Sequence, residues 1–267
     1  MIRTALALGI AGAIGLGASA GAGPIAVAVG APTRQGAPDP ENPPYDGRFA
    51  FVRLRYGARD ASLAGGFMGG RGRNEPMWAH DLPRADMNFL RIMQELTSVQ
   101  TAPEYHLVLS VDDPDLFRYP VAYIVEVGFW VPTDQEVQAL RAWLLKGGFL
   151  IVDDFRGAHL DNFIVQMRRI LPAGRFQTLE GGEEVFDSFF HIPDPHALAP
   201  PYDRQLVPVY LGLFENNDPA RQLMVIANYN NDLAEYWEFS DYGYYPIDLA
   251  NESYKFGVNY VMYGLTH

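Results

Sequence analysis

"KGGFLIVDDFRG", residues 146–157, decides the fold. Gly147 and Gly148 end a helix, because glycine readily takes the left-handed conformation that closes a helix C-terminus. Phe149, Leu150, Ile151 and Val152 then form an unbroken apolar run. A strand that is apolar on both sides is covered on both faces, as in a parallel sheet. Asp153 and Asp154 follow where such a strand leaves the core. They read as a catalytic carboxylate pair, as part of a metal site, or as the polar end of a strand.

The residues upstream complete a strand–helix–strand unit. "TDQEVQALRAWLLKGG" is the clearest helix in the chain, with Val137, Leu140 and Leu144 on one face. Thr133 and Glu136 have the S/T-x-x-E spacing of a capping box. Before it, "VAYIVEV" at 121–127 is another buried strand. Further out, "RFAFVRLRYG" and "EYHLVLS" read as strands, and "RADMNFLRIMQELTSV" carries apolar residues at helical spacing. Downstream come a helix in "AHLDNFIVQMRRIL", strand-like "RFQTLE", "LVPVYLGLF" and "RQLMVIANYN", and a terminal helix in "NESYKFGVNYVMYGLTH". This alternation predicts an α/β fold, with a mainly parallel central sheet flanked by helices on both faces. The expected strands are 49–55, 105–110, 121–127, 149–153 and 222–228, with helices over 86–97 and 133–146.

The N-terminal region is organised differently. From Arg3 to Arg34 there is no charged residue. Ala18-Ser19-Ala20 is an A-x-A site of the kind signal peptidase accepts. The uncharged stretch is also long enough to span a bilayer, and Gly17 and Gly21 give the small-residue spacing that favours helix packing in membranes. Residues 1–31 are therefore a signal peptide or a retained N-terminal membrane anchor. Either places the body of the chain on the periplasmic side of a bacterial membrane. Residues 32–47, "PTRQGAPDPENPPYDG", are a Pro-rich linker, and one globular domain occupies 48–267.

Composition narrows the function classes. The chain of 267 residues has 20 basic and 32 acidic side chains, a net charge of −12. That argues against nucleic acid as a partner, because neutralising phosphates takes clustered Lys and Arg. There is no cysteine, hence no thiolate nucleophile, disulfide or Cys-ligated metal. No P-loop and no G-x-S-x-G elbow appears, and no cofactor is expected. Arginine dominates the basic surface of the early domain. Arg53, Arg55, Arg71 and Arg73 are candidates for docking on a partner, since guanidinium groups pair well with carboxylates at interfaces.

The series "RLRYG", "W..DLPRADMNFLRIMQELTSVQ", "LRAWLLKGGFLIVDDFRG", "VIANYNNDLAEYWE" and "KFGVNYVMYGLTH" resembles the DUF4159 family of bacterial proteins over nearly all of residues 48–267. The resemblance implies a flavodoxin-like architecture similar to class I glutamine amidotransferase domains. Amidotransferases of that group use a cysteine nucleophile, so their activity does not carry over to a chain without one.

The polar residues that remain point to the carboxyl edge of the sheet, where open α/β folds bind ligands. Asp153 and Asp154 are adjacent on a strand, so they face opposite ways and do not form a close acid pair unless the chain turns there. The expectation is a structural pair, one at the sheet edge and the other bonded to local backbone or to Arg156. Asn230 and Asp232, in "NYNNDLAEYWEF", fall at the same edge. They cap a short helix or join Asp153 or Asp154 in an oxygen-rich ligand or cation site. His191 lies in a Pro-rich loop and is the remaining acid–base or metal candidate. Two functions follow. One is a non-catalytic, membrane-tethered periplasmic subunit that docks on a membrane protein complex, respiratory and photosynthetic hosts among them. The other is a hydrolase-like, carbohydrate-binding or small-ligand-binding domain that uses the carboxyl edge.

Overall fold

The computed structural model describes residues 42–57 and 76–267. The leader, most of the linker, and Arg71 and Arg73 lie outside the described residues. Seven strands form one sheet: β1 (Val52–Arg55), β2 (Leu107–Ser110), β3 (Val121–Val125), β4 (Phe149–Phe155), β5 (Gln177–Leu179), β6 (Val209–Phe214) and β7 (Leu223–Tyr229). Their spatial order is β2-β1-β3-β4-β7-β6-β5. The first five in that order run parallel, while β6 runs antiparallel to β7 and β5 antiparallel to β6. Five α-helices pack on the sheet: α1 (Arg84–Leu96), α2 (Asp134–Leu144), α3 (His159–Ile170), α4 (Leu233–Glu238) and α5 (Ile247–Thr266).

Strand alternation builds the two layers. In β3 and β4, Val121, Tyr123, Phe149 and Ile151 face one core with Phe89 of α1, Trp237 of α4 and Tyr260 of α5. Ala122, Ile124, Leu150 and Val152 face a second core with Leu140 and Trp143 of α2 and Phe163 of α3. The expected α/β layering is what the chain adopts. The first two strands are shorter than the alternation predicts. Phe49 makes only an isolated bridge to Thr101, and regular pairing with β2 begins at Val52 and Leu107. At the outer edge, Asn42 closes on β2. Its amide nitrogen donates to the Val108 carbonyl at 2.7 Å, and its side-chain oxygen accepts the Val108 N–H at 3.0 Å. This occupies edge groups that would otherwise be open to another strand. Among the described residues, no helix is long and apolar enough to cross a membrane.

The capping box at α2 is complete. Thr133 Oγ1 accepts the Glu136 N–H at 3.2 Å, and the Glu136 carboxylate accepts the Thr133 N–H at 2.7 Å. Thr133→Ala is expected to cost about 0.5–2 kcal/mol, read by urea denaturation. An unchanged midpoint would show that the cap carries no stability.

One topological feature positions the site. β1 pairs with β2 on one side and β3 on the other, so the chain steps from β1 out to β2 and then doubles back past β1 to β3. Such a reversal opens a crevice beyond the carboxyl ends of the strands. The segment that leads into α1, the ends of β3 and β4, and the turn from β7 into α4 meet beyond these ends.

Candidate functional site

Asp153, in β4, is fully buried on the face that carries α4. Its carboxylate accepts the Tyr123 hydroxyl at 2.6 Å, the Asn228 amide at 3.0 Å, and the backbone N–H groups of Leu233 and Ala234 at 2.8 and 3.3 Å. Tyr260 donates in turn to Asn228 at 2.9 Å. Asp153 therefore ties β3, β7 and the first turn of α4 together, and its oxygens are saturated with donors. Its backbone partners come from a distant turn rather than from the neighbouring chain. Burial raises its pKa, opposed by the Tyr123 and Asn228 bonds.

Asp154 does something else. Its φ is +50°, a left-handed conformation that an L-residue seldom adopts, and the β4–β7 register shifts between Val152 and Phe155. This bulge turns the Asp154 side chain out of the ladder. Its Oδ2 lies 2.6 Å from His80 Nδ1 rather than on Arg156, and the Arg156 guanidinium stacks 4.0 Å over the Tyr202 ring instead. The contact with a carboxylate puts a proton on His80 Nδ1. That leaves Nε2 facing Asp81, 3.9 Å from its Oδ1. Asp81 and Glu126 are also left-handed, with φ of +65° and +52°. Backbone strain of this kind collects at working sites.

His80, Asp81, Asp154 and Asp232 each offer one ligand atom, and these atoms all lie within 4.8 Å of one another. Asp232 also accepts the Glu235 N–H at 2.9 Å, as the N-cap of α4. Cap and cluster member are thus one residue. Asp81 is the anomaly. It is only 4% exposed, and neither of its oxygens has a hydrogen-bond partner among the described residues. A buried carboxylate is ordinarily paired or hydrogen-bonded, because desolvating it unpaired is costly. An imidazole and three carboxylates are a donor set for a divalent cation. The His80 side chain is half exposed and opens the group to solvent.

The electrostatics agree with missing positive charge. Burial pushes Asp81 up to about 8, and the Asp154 charge adds to this against the pull of His80 and Arg53. Burial followed by the Asp154 charge also raises Glu126 and Asp232 well above the ordinary carboxylate range. Burial opposes the charged form of His80. The Asp154 hydrogen bond and the charges of Asp81, Asp154 and Glu126 outweigh it and bring the imidazole to about 10. Each of the carboxylate shifts disfavours the charged form, as burial without a compensating cation does.

The other expected site residues are scattered. His191 is exposed on its loop, 3.1 Å from Asp187, and takes no part in the cluster. Asn230 has a left-handed backbone at φ +60° and donates its N–H to Phe155 O at 2.9 Å, shaping the turn beside the site. Arg53, expected on a docking surface, lies fully inside the protein. It pairs with Asp86 at 2.6 Å because β1 points it into the core beneath α1. Arg55 is half-buried and donates to Ser110 at 3.0 Å. His80, Asp81 and Glu126 were not among the expected site residues. Glu126 had a readable signal: "YIVE" and "LIVDD" both reach acids at the carboxyl ends of strands that pair Val125 with Asp153. His80 and Asp81 sit on a short connection just after a Gly-rich stretch, where no periodicity marks them. A groove of about 630 Å³ lies elsewhere, lined by Met167, Arg168, Arg175, Phe176 and Leu213 among others, and includes none of the acidic cluster.

No curated protein matches the sequence. The family described as "Domain of unknown function (DUF4159)" matches residues 50–265, and the chain belongs to that family.

Proposed function

We propose that this domain binds a divalent cation at the carboxyl edge of its sheet and uses it to hold a small ligand or substrate. The observation that carries this reading is Asp81, buried among His80, Asp154 and Asp232 with no hydrogen-bond donor on either oxygen. A cation held there would supply the missing positive charge and keep a position open towards solvent. Imidazole nitrogen beside carboxylates suits Mn²⁺ or Zn²⁺ better than Mg²⁺ or Ca²⁺, which favour all-oxygen shells. Asp154, bonded to Nδ1, would orient His80 so that Nε2 faces the ion. The parallel order β2-β1-β3-β4-β7, with its crevice at β1 and β3, supports a flavodoxin-like description of the domain. The missing cysteine leaves amidotransferase chemistry unsupported.

The experiment is a thermal melt of chelator-treated protein with Mn²⁺ or Zn²⁺ added back. An ion at about 100 times its Kd stabilises by about 2.7 kcal/mol, which raises Tm by roughly 5–10 °C. Asp232→Asn keeps a capping side chain and removes the charge, so it should weaken ion binding at least about tenfold. A Tm that ignores both ions would defeat the proposal.

The docking reading has separate support. Tyr242, Tyr244 and Ile247 are exposed by 70, 66 and 68%, and the Arg84 guanidinium lies 3.5 Å over the Tyr242 ring. Exposed aromatics beside arginine are common interface anchors. In this reading a periplasmic domain, tethered through its leader, rests on a membrane protein complex by this patch.

A further inference from the structure

We propose that the site takes two divalent cations, bridged by the carboxylate of Asp81. This rests on the cation reading of the same edge and extends it. Asp81 belongs to two groups of ligand atoms. One is shared with His80, Asp154 and Asp232, the other with Glu235 and Glu238, and within each group all ligand atoms lie within 4.8 Å of one another. A carboxylate that serves one ion uses one oxygen and ordinarily gives the other to a hydrogen-bond donor. Both Asp81 oxygens are buried and neither has a donor among the described residues. A bridge employs both oxygens and explains both.

The second half of the site is built by α4. Asp232 caps the helix, and Glu235 and Glu238 follow at steps of three residues. That spacing lines them along one side of the cap and the first turns. Glu238 is only 5% exposed, on the packed side of the helix. The Tyr245 hydroxyl donates to Glu235 Oε1 at 2.7 Å, the kind of outer contact that orients a ligating carboxylate. Asp153 anchors the start of α4 through the Leu233 and Ala234 N–H groups, so the helix presents these acids from a fixed base. Paired ions in such centres stand about 3.5–4 Å apart, within the reach of one bridging carboxylate.

The test is a titration of the full-length, chelator-treated protein with Mn²⁺, followed by metal analysis and low-temperature electron paramagnetic resonance. The proposal expects two Mn²⁺ per chain with a spin-coupled spectrum. Glu238→Gln should bind one Mn²⁺ and lose the coupling. Glu235→Gln gives the same readout should the first variant not fold. One Mn²⁺ per wild-type chain, or two uncoupled ions, overturns the bridge and leaves the single-cation site standing. No bound Mn²⁺ overturns both. Two coupled ions in either folded variant would remove α4 from the second position.

Discussion

Arg53→Ala is expected to destabilise the protein by about 3–5 kcal/mol, a large part of the 5–15 kcal/mol that holds a typical domain together. Arg53 and Asp86 are both fully buried. The guanidinium reaches Asp86 Oδ1 at 2.6 Å, donates to the His80 carbonyl at 3.2 Å, and lies 4.6 Å from the centre of the Tyr123 ring. Burial opposes its charge, but the attraction of Asp86 and Tyr123 keeps it protonated. Truncation removes little attraction in itself. Its cost is the Asp86 carboxylate left in the core without a counter-ion. Arg53→Ala should therefore be worse than Arg53→Ala combined with Asp86→Ala, which leaves no orphan charge. Urea denaturation of the two single variants and the double variant closes the cycle. Additive losses would show that the two side chains do not depend on each other. The same truncation removes a donor from the His80 carbonyl, so a surviving variant should also bind cations more weakly.

The layered fold was legible because it rests on local signals. The apolar runs of β3, β4 and β7, the Thr133–Glu136 box and the Gly147–Gly148 stop each declare their element within a few residues. The site was legible in part. Asp154 and Asp232 could be placed at the carboxyl edge because strand direction fixes where a strand ends. What Asp154 meets there could not be read, since the bulge that turns it depends on the β4–β7 pairing across more than seventy residues. The same distance hid the role of Asp153, whose partners Tyr123, Asn228 and Leu233 come from three elements. Arg53 shows the limit of composition. In an alternating strand an arginine reads as solvent-facing, and its burial is made tolerable by Asp86 on the helix above and the His80 carbonyl. His80 and Asp81 precede α1 on a connection with no periodicity, so only packing brings them to Asp154 and Asp232.

Asp81→Asn should flatten the fall in stability of the metal-free protein as pH rises. The ordinary carboxyl value is 3.8, and burial lifts Asp81 to about 8 in the fold. The folded state therefore binds this proton more tightly than the unfolded chain does. The stability linked to it is fully present below pH 4 and is lost as pH rises through 8. At about 1.4 kcal/mol per pH unit, the loss across that window reaches a few kcal/mol. His80, raised to about 10, acts in the same direction between pH 6.5 and 10. Solvent around its half-exposed ring moderates that contribution. Asparagine has nearly the same size and stays neutral, so it removes the Asp81 contribution and lessens that of His80, to which the Asp81 charge contributes beside the Asp154 hydrogen bond. In chelator, the variant and the wild type should melt together near pH 4 and separate towards pH 9, with the variant the more stable. With saturating Mn²⁺ the order should invert, because only the wild type gains the binding energy of the ion. Parallel Tm-against-pH curves in chelator would mean that Asp81 is ionised and compensated without a cation, and the cation site would then lose its main support.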